Sequence, residues 1–215
     1  MTGKRVIVVG GVAGGASCAA RLRRLDEQAE ILLVERGEHI SFANCGLPYH
    51  VGGVIPERKS LLLVPPAQME ARAGVRVLTR HEVTAIHRET REVTLRDLAG
   101  GTERRESYTH LVLSPGAAPI RPPLPGLDHP AVRPLRSIED MDAIIARLAD
   151  ARQALVVGGG YIGLEMAEAL RERRLATTLV ELADQVLGPF DPEMAALLHR
   201  ELRLHGVDLR LKTGL

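Results

Sequence analysis

Chemistry is written most plainly into Ser41-Phe42-Ala43-Asn44-Cys45-Gly46-Leu47-Pro48-Tyr49-His50-Val51-Gly52-Gly53. The chain has two cysteines, Cys18 and Cys45, and Cys45 lies here among small residues. Pro48 has no backbone N–H and is tolerated in a helix only within the first turn. A helix here therefore begins within about three residues before Pro48, which puts Cys45 at or just before a helix N-terminus. Backbone N–H groups and the helix dipole at such an end favour the thiolate, the reactive form of cysteine. Ser41 and Asn44 place hydrogen-bonding groups nearby. The competing reading is a buried structural thiol, since free cysteine is often buried. The surrounding elements weigh against it.

Upstream, Val6-Ile7-Val8-Val9 is a continuous apolar run of the kind that forms a buried parallel strand. It leads into Gly10-Gly11-Val12-Ala13-Gly14-Gly15, a helical pattern from Ala16 to Leu25, and a second strand, Ile31-Leu32-Leu33-Val34, ending at Glu35. Glycines let a backbone approach a pyrophosphate at a helix N-terminus, and an acid about 20 residues on takes ribose hydroxyls. The middle glycine of GxGxxG is replaced by Val12, but strand, glycines, helix, strand and Glu35 act together. The pattern returns downstream: Leu155-Val156-Val157, then Gly158-Gly159-Gly160-Tyr161-Ile162-Gly163, a helix from Leu164 to Arg174, and Thr177-Thr178-Leu179-Val180 ending at Glu181. This second fingerprint keeps all three glycines. One unit can hold FAD and the other a nicotinamide nucleotide.

Between them, residues 54–73 read as a loop and a short helix, and Val75 to Leu78 as a short strand. His81 to Leu95 alternates and turns at Glu89-Thr90-Arg91; with Arg104–Tyr108 it predicts an antiparallel meander. Leu111-Val112-Leu113 reads as another buried parallel strand. Six prolines within 118–135 fit a stiff connection, followed by a helix over Ile138 to Leu148. Asp191 is the expected N-cap of a helix opened by Pro192. The expected fold is α/β: two Rossmann-like, three-layer dinucleotide-binding domains, the first with the meander inserted. The expected boundaries are 1–117 for the first dinucleotide-binding segment, 118–150 for the connection and 151–215 for the second.

Composition excludes several function classes. The 215 residues are 26% charged and 45% hydrophobic, with a formal net charge of +1, so no nucleic-acid or membrane surface is indicated. Aromatics are 2%, too few for a base-stacking surface. No apolar run reaches the ~18 residues of a membrane span. The N-terminus reads as a strand and not a signal peptide, and two cysteines are no disulfide framework, so a cytoplasmic protein is expected. No metal is expected.

Together the first glycine loop, Glu35, Ser-Phe-Ala-Asn-Cys-Gly-Leu-Pro-Tyr, Leu-Ser-Pro-Gly-Ala and Gly-Gly-Gly-Tyr-Ile-Gly-Leu-Glu resemble the single-cysteine pyridine nucleotide–disulfide oxidoreductases. Within that group the chain looks most like coenzyme A-disulfide reductases and NADH-dependent CoA-persulfide or polysulfide reductases, over essentially its whole length. Peroxide- and oxygen-reducing relatives usually carry a histidine in the first glycine loop, where Ala13 and Gly14 stand here. Two-cysteine members use a CxxxxC pair; the fifth residue after Cys45 is His50, so the motif holds no resolving cysteine.

The resemblance implies that NADH reduces FAD, that the flavin reduces Cys45, and that Cys45 forms a mixed disulfide with CoA disulfide or persulfide as substrate. It implies FAD contacts at Gly10, Ala13, Gly14, Glu35, Arg36, Val83 (through its backbone), Ser114 and Arg136. It implies nicotinamide-nucleotide contacts at Gly158, Gly160, Tyr161, Ile162, Gly163, Glu165 and Glu181. Glu181 would favour NADH over NADPH by repelling a 2′-phosphate. Tyr161 reads as a nicotinamide-pocket gate or, alternatively, as simple helix packing. CoA contacts would fall at Ser17, Arg21, Arg24, Ser41 and Asn44, although Ser17, Arg21 and Arg24 also fit a solvated helix face. The family's further lysine has no counterpart, since Ala71 and Ala73 stand in that region. Cys18 reads as an inert thiol on the first helix. Members of the family are longer, so a fragment of a homodimeric enzyme is expected, its missing parts including a C-terminal dimerisation domain and, in persulfide-type relatives, often a rhodanese domain. An oxidase or peroxidase cycling Cys45 through a sulfenic acid, and a non-catalytic nucleotide-binding fragment, are the alternatives.

Overall fold

The apolar run at Val6 becomes a strand because both of its faces are covered. A computed structural model describes residues 3–214. In chain order the elements are β1 (Arg5–Val9), α1 (Ala13–Leu25), β2 (Glu30–Val34), α2 (Leu47–Gly52), α3 (Pro66–Ala73), β3 (Arg76–Leu78), β4 (His81–His87), β5 (Glu92–Asp97), β6 (Glu103–Ser107) and β7 (His110–Leu113). They continue with α4 (Ile138–Leu148), β8 (Gln153–Val157), α5 (Tyr161–Glu172), β9 (Ala176–Val180), α6 (Pro192–Leu204) and β10 (Val207–Arg210). The chain divides into two units: the described residues up to Ala43 with Lys59–Ala118, and Asn44–Arg58 with the chain from Pro119 onward.

In the first unit a parallel sheet runs β3-β2-β1-β7, and β4-β5-β6 form the antiparallel meander, with an irregularity between Val83 and Ala85. Alternation along β1 and β2 sends side chains to opposite faces. Val6, Val8, Ile31 and Leu33 pack with Ala16 and Ala19 of α1 and Met69 of α3. Ile7, Leu32 and Val34 pack with Val93 and Leu95 of the meander. The small side chains of Ala16 and Ala19 let α1 lie close to the sheet. Arg23 ties α1 to the end of α3, donating its Nε–H to the Ala73 carbonyl at 2.8 Å and an Nη2–H to that of Gly74 at 3.1 Å.

The second unit holds the parallel sheet β10-β9-β8. Ala167, Leu179, Val186 and Val207 form its core with Leu164, Leu198 and Leu202 of α5 and α6. Its other face differs from a buried strand pattern: Leu155 and Val157 are 54% and 57% exposed. Leu113 on β7, expected buried, is exposed as well. Among the described residues β7 and β8 each edge a sheet.

Both glycine-loop helices begin three residues earlier than the pattern predicts, at Ala13 and Tyr161. Packing overrides the poor helix propensity of glycine there. A Cβ on Gly15 would lie 1.7 Å from the Gly10 carbonyl oxygen, and one on Gly163 1.9 Å from that of Gly158, so each helix presses on its loop only through glycine. The meander, the Ile138–Leu148 helix and the element order match the sequence reading.

Candidate functional site

Each glycine loop is closed by the acid at the end of its unit's second strand. In the first unit Glu35 Oε2 accepts the Gly11 N–H at 2.7 Å and Oε1 accepts the Gly37 N–H at 2.7 Å. In the second unit Glu181 Oε2 accepts the Gly159 N–H at 2.6 Å and Oε1 that of Ala183 at 2.8 Å. The loop starts match too: Gly10 N–H donates to the Val34 carbonyl at 2.8 Å and Gly158 N–H to that of Val180 at 2.9 Å. The first amide of each loop takes a positive φ, +93° and +99°, a conformation open to glycine. The same device is thus built twice. The backbone N–H groups of Ala183 and Gly159 hold the Glu181 carboxyl below its ordinary range, against the opposing effect of burial. Glu181 is a carboxylate at neutral pH.

Both helix N-termini suit an anion. A helix leaves its first four N–H groups without intrahelical partners. In α4 the Ser137 hydroxyl and Asp140 carboxylate satisfy two of them, the Asp140 and Ser137 N–H groups, as a reciprocal capping box. Neither α1 nor α5 has a side-chain cap or an acid in its first turn. Gly160 caps α5 with nothing within 4 Å of the place a Cβ would take, so a ligand's phosphate can approach the backbone there. These residues fit a dinucleotide in each unit.

The first unit brings Gly10, Ala13, Gly14, Glu35 and Ser114 together. Ser114 follows β7, its N–H on the Val9 carbonyl at 2.7 Å, and its Oγ lies 3.2 Å from where a Cβ on Gly14 would fall. Arg36 is exposed in the next turn, with Glu82 at 3.8 Å. Val83 lies in β4 at the bulge. Ser41 has φ +46° and donates its N–H to the Gly11 carbonyl at 2.9 Å. Ser17, Arg21 and Arg24 are exposed on α1, and among the described residues neither arginine is held in an ion pair. Cys18 on the same helix is half-buried and free.

Cys45, Asn44 and Arg136 fall in the second unit. Cys45 is exposed and free, in a 3-10 turn over Asn44–Gly46 that runs directly into α2. The structure thus bears out its place at a helix entrance. The six residues of α2 are too few to be stable by propensity; buried Leu47, Pro48 and Val51 fix them instead, at about 1.5–3 kcal/mol for each large apolar side chain buried. His50, where a second cysteine would stand, has its Nδ1 2.6 Å from the Ile55 carbonyl. A carbonyl only accepts, so that nitrogen carries the proton. The backbone N–H of Arg136 donates to Asp140 Oδ2 at 2.9 Å.

Of the α5 residues, Tyr161 and Ile162 are exposed at the N-terminus beside Gly160. Glu165 lies elsewhere: it lines a hollow of about 210 Å³ with Pro48, Tyr49, Gly52 and Val54 of the α2 segment. Sequence reasoning missed Phe190, whose ring meets that of Tyr161, and the packing of α2 on α5 through Gly52 and Ala169. No local pattern points to either pairing. Among the described residues no cluster of three or more His, Cys, Asp or Glu could hold a metal ion, and no helix is long and apolar enough to cross a membrane.

Residues 4–215 match the family described as pyridine nucleotide-disulphide oxidoreductase. The chain belongs to that family. A coenzyme A disulfide reductase of Staphylococcus haemolyticus is 40% identical over 210 residues, covering 97% of this chain and 47% of that protein. The chain therefore spans about half the length of the curated relatives it matches. The crystal structure of reduced Bacillus anthracis CoADR-RHD superposes with a TM-score of 0.95 at 46% identity, over 100% of this chain and 39% of that one. An NAD-dependent persulfide reductase from A. fulgidus superposes with a TM-score of 0.92 at 36% identity, over 97% and 40%. A water-forming NADH oxidase from Lactobacillus brevis, in a structure bound to NADH, superposes with a TM-score of 0.93 at 31% identity, over 97% and 46%.

Proposed function

We propose that the complete protein is an FAD-dependent, NADH-consuming reductase of CoA disulfide or CoA persulfide, with Cys45 as its redox-active sulfur. One observation carries the reading: Cys45 is an exposed, free thiol at a helix entrance, and the residue five positions on is His50. The partner sulfur must then come from the substrate. FAD would be held by the first unit through Gly10, Ala13, Gly14, Glu35 and Ser114, with Arg36 and Val83 as further contacts. NADH would be held by the second through Gly158, Gly160, Tyr161, Ile162, Gly163 and Glu181, with Glu165 adjoining α2. The two cofactors, once bound, would supply electrons in pairs.

The protein's own part begins with Cys45. Its thiolate attacks one sulfur of CoA disulfide, the S–S bond breaks, and a CoA thiolate leaves. Cys45 now carries the second CoA in a mixed disulfide. Two electrons originating from NADH cleave that bond, regenerate the Cys45 thiolate and release the second CoA, which takes up a proton. Overall, one NADH and one proton convert one CoA disulfide into two CoA thiols. Arg21 and Arg24, with Ser17 and Ser41, would bind CoA, the arginines through its phosphates. The charged Glu181 would accept a ribose 2′-hydroxyl and repel a 2′-phosphate. We assign the working enzyme to the cytoplasm, where thiols stay reduced, as a homodimer.

Steady-state kinetics of the complete protein with CoA disulfide, CoA persulfide and oxygen tests this reading. Turnover with a CoA acceptor that Cys45→Ser abolishes supports it. NADH consumption coupled only to oxygen would assign the sulfenic-acid chemistry instead.

A further inference from the structure

We propose that Phe190 is a positioning residue for Tyr161, setting the ring that stands at the mouth of the second nucleotide site. The proposal rests on the reading that this unit binds NADH with Tyr161 at the nicotinamide end. Tyr161 is the first residue of α5, immediately after the Gly160 cap. Side chains on a helix lean toward its N-terminus, so this ring extends over the glycine loop. It is 62% exposed, and a ring so open to water samples several rotamers unless something holds it. Phe190 does so. The two centroids are 6.4 Å apart with planes at 77°, an edge-to-face pair and the one ring–ring contact among the described residues.

Phe190 can serve because its own backbone is fixed to the same loop. Its N–H donates to the Leu187 carbonyl at 2.8 Å. Its carbonyl accepts Gln185 Nε2–H at 2.8 Å. Leu187, at φ +46°, donates its N–H to the Gly159 carbonyl at 2.9 Å. Val186 is fully buried against Gly159, where a Cβ would come within 2.8 Å of Val186 Cγ1. Gly159 is also the residue whose N–H Glu181 accepts. The 185–190 turn is therefore joined to the glycine loop at Gly159, at the carboxyl ends of the strands, where this fold places its dinucleotide crevice. Phe190 is 39% exposed, which is more than core packing requires. A ring held in place before the nucleotide arrives loses less rotamer freedom on binding, and that gain appears as affinity.

The test is calorimetric titration of NAD+ into the complete flavoprotein carrying Phe190→Leu, Tyr161→Leu, both changes, Phe190→Tyr or Gln185→Ala. Phe190→Leu should weaken NAD+ binding roughly three- to tenfold, with KM for NADH rising more than kcat falls. The double variant should bind no worse than Tyr161→Leu alone, because Phe190 acts through Tyr161. Phe190→Tyr keeps an aromatic edge and should bind within about twofold of the parent. Gln185→Ala should weaken binding in the same direction without changing either ring. Unchanged affinity in Phe190→Leu, or losses that multiply in the double variant, would overturn the proposal while leaving Tyr161 at the nucleotide site. Unchanged affinity in Tyr161→Leu would remove the Tyr161 reading and this proposal with it.

Discussion

The Arg173 guanidinium, at the end of α5, donates its Nε–H to the Val51 carbonyl in α2 across 2.6 Å. The helix that follows Cys45 is thereby pinned to the helix that opens on the second glycine loop. Gly52 makes the approach possible: a Cβ there would sit 3.1 Å from Ala169 Cα and 3.3 Å from Ala169 Cβ.

Arg173→Met keeps much of the stem packing and removes the donor. A hydrogen bond from a charged group is worth about 1.5–3 kcal/mol. The variant should lower the denaturation midpoint accordingly and speed hydrogen exchange of the α2 amides. Gly52→Ala should also destabilise, although alanine is intrinsically the better helix former by about 1 kcal/mol. A stabilised Gly52→Ala would show that α2 can ride off Ala169 without cost.

The glycines of the second loop separate into two kinds. Gly163→Ala forces a Cβ to within 1.9 Å of the Gly158 carbonyl oxygen, overpacking that costs typically 1–3 kcal/mol or more; it should lower Tm and impair nucleotide binding together. Gly160→Ala meets nothing within 4 Å. It should melt close to the parent yet lose roughly tenfold or more in NADH affinity, about 1.4 kcal/mol, as its methyl occupies the phosphate's approach. Thermal melts alongside NADH titrations distinguish the two.

Stability should fall on acidification in two windows. His199 Nε2 accepts the Val186 N–H at 3.1 Å, which requires a neutral ring at that atom. Burial, with the Arg203 charge adding to it, holds its pKa below the ordinary 6.5. The unfolded chain then takes up a proton that the folded chain refuses. Stability is therefore full above about pH 6.5 and declines as pH falls below it. Glu181 behaves as a depressed carboxylate. Its contribution is present above its unfolded value near 4.5 and is lost as pH falls through the folded one. Urea midpoints between pH 8 and pH 3 should show both declines, with His199→Gln flattening the upper and Glu181→Gln the lower.

Glu181→Gln should also relax coenzyme choice. Removing the negative charge that would face a 2′-phosphate should shift the NADH-to-NADPH preference in kcat/KM by roughly tenfold or more toward NADPH, since like-charge juxtaposition can cost several kcal/mol. An unchanged ratio would mean that the carboxylate, engaged by Gly159 and Ala183, does not face the ribose.

Much of this was legible before the structure, because the decisive signals are local. The two strand–glycine–helix–strand–acid runs each fold as one unit, so Glu35 and Glu181 could be named from spacing. Cys45 could be set at a helix entrance from Pro48 alone. Other features depend on pairings distant in sequence. That Asn44–Arg58 groups with the chain from Pro119 onward follows from Gly52 meeting Ala169, and nothing near Gly52 announces it. The helix starts were displaced because Gly15 and Gly163 pack on carbonyls that no propensity scale includes. Asp191 does occupy the N-cap position of α6, but its side chain caps nothing; the Met194 N–H goes to the Asp191 main-chain carbonyl at 3.0 Å instead.

The central claim is that Cys45 exchanges with a sulfur brought by the substrate. Mass spectrometry of the complete, reduced protein after rapid mixing with CoA disulfide and an acid quench tests it directly. The account predicts a CoA mixed disulfide on the peptide containing Cys45, removed by NADH and absent from the Cys18 peptide. An unmodified Cys45 under conditions that sustain turnover, or the adduct on Cys18, would contradict it.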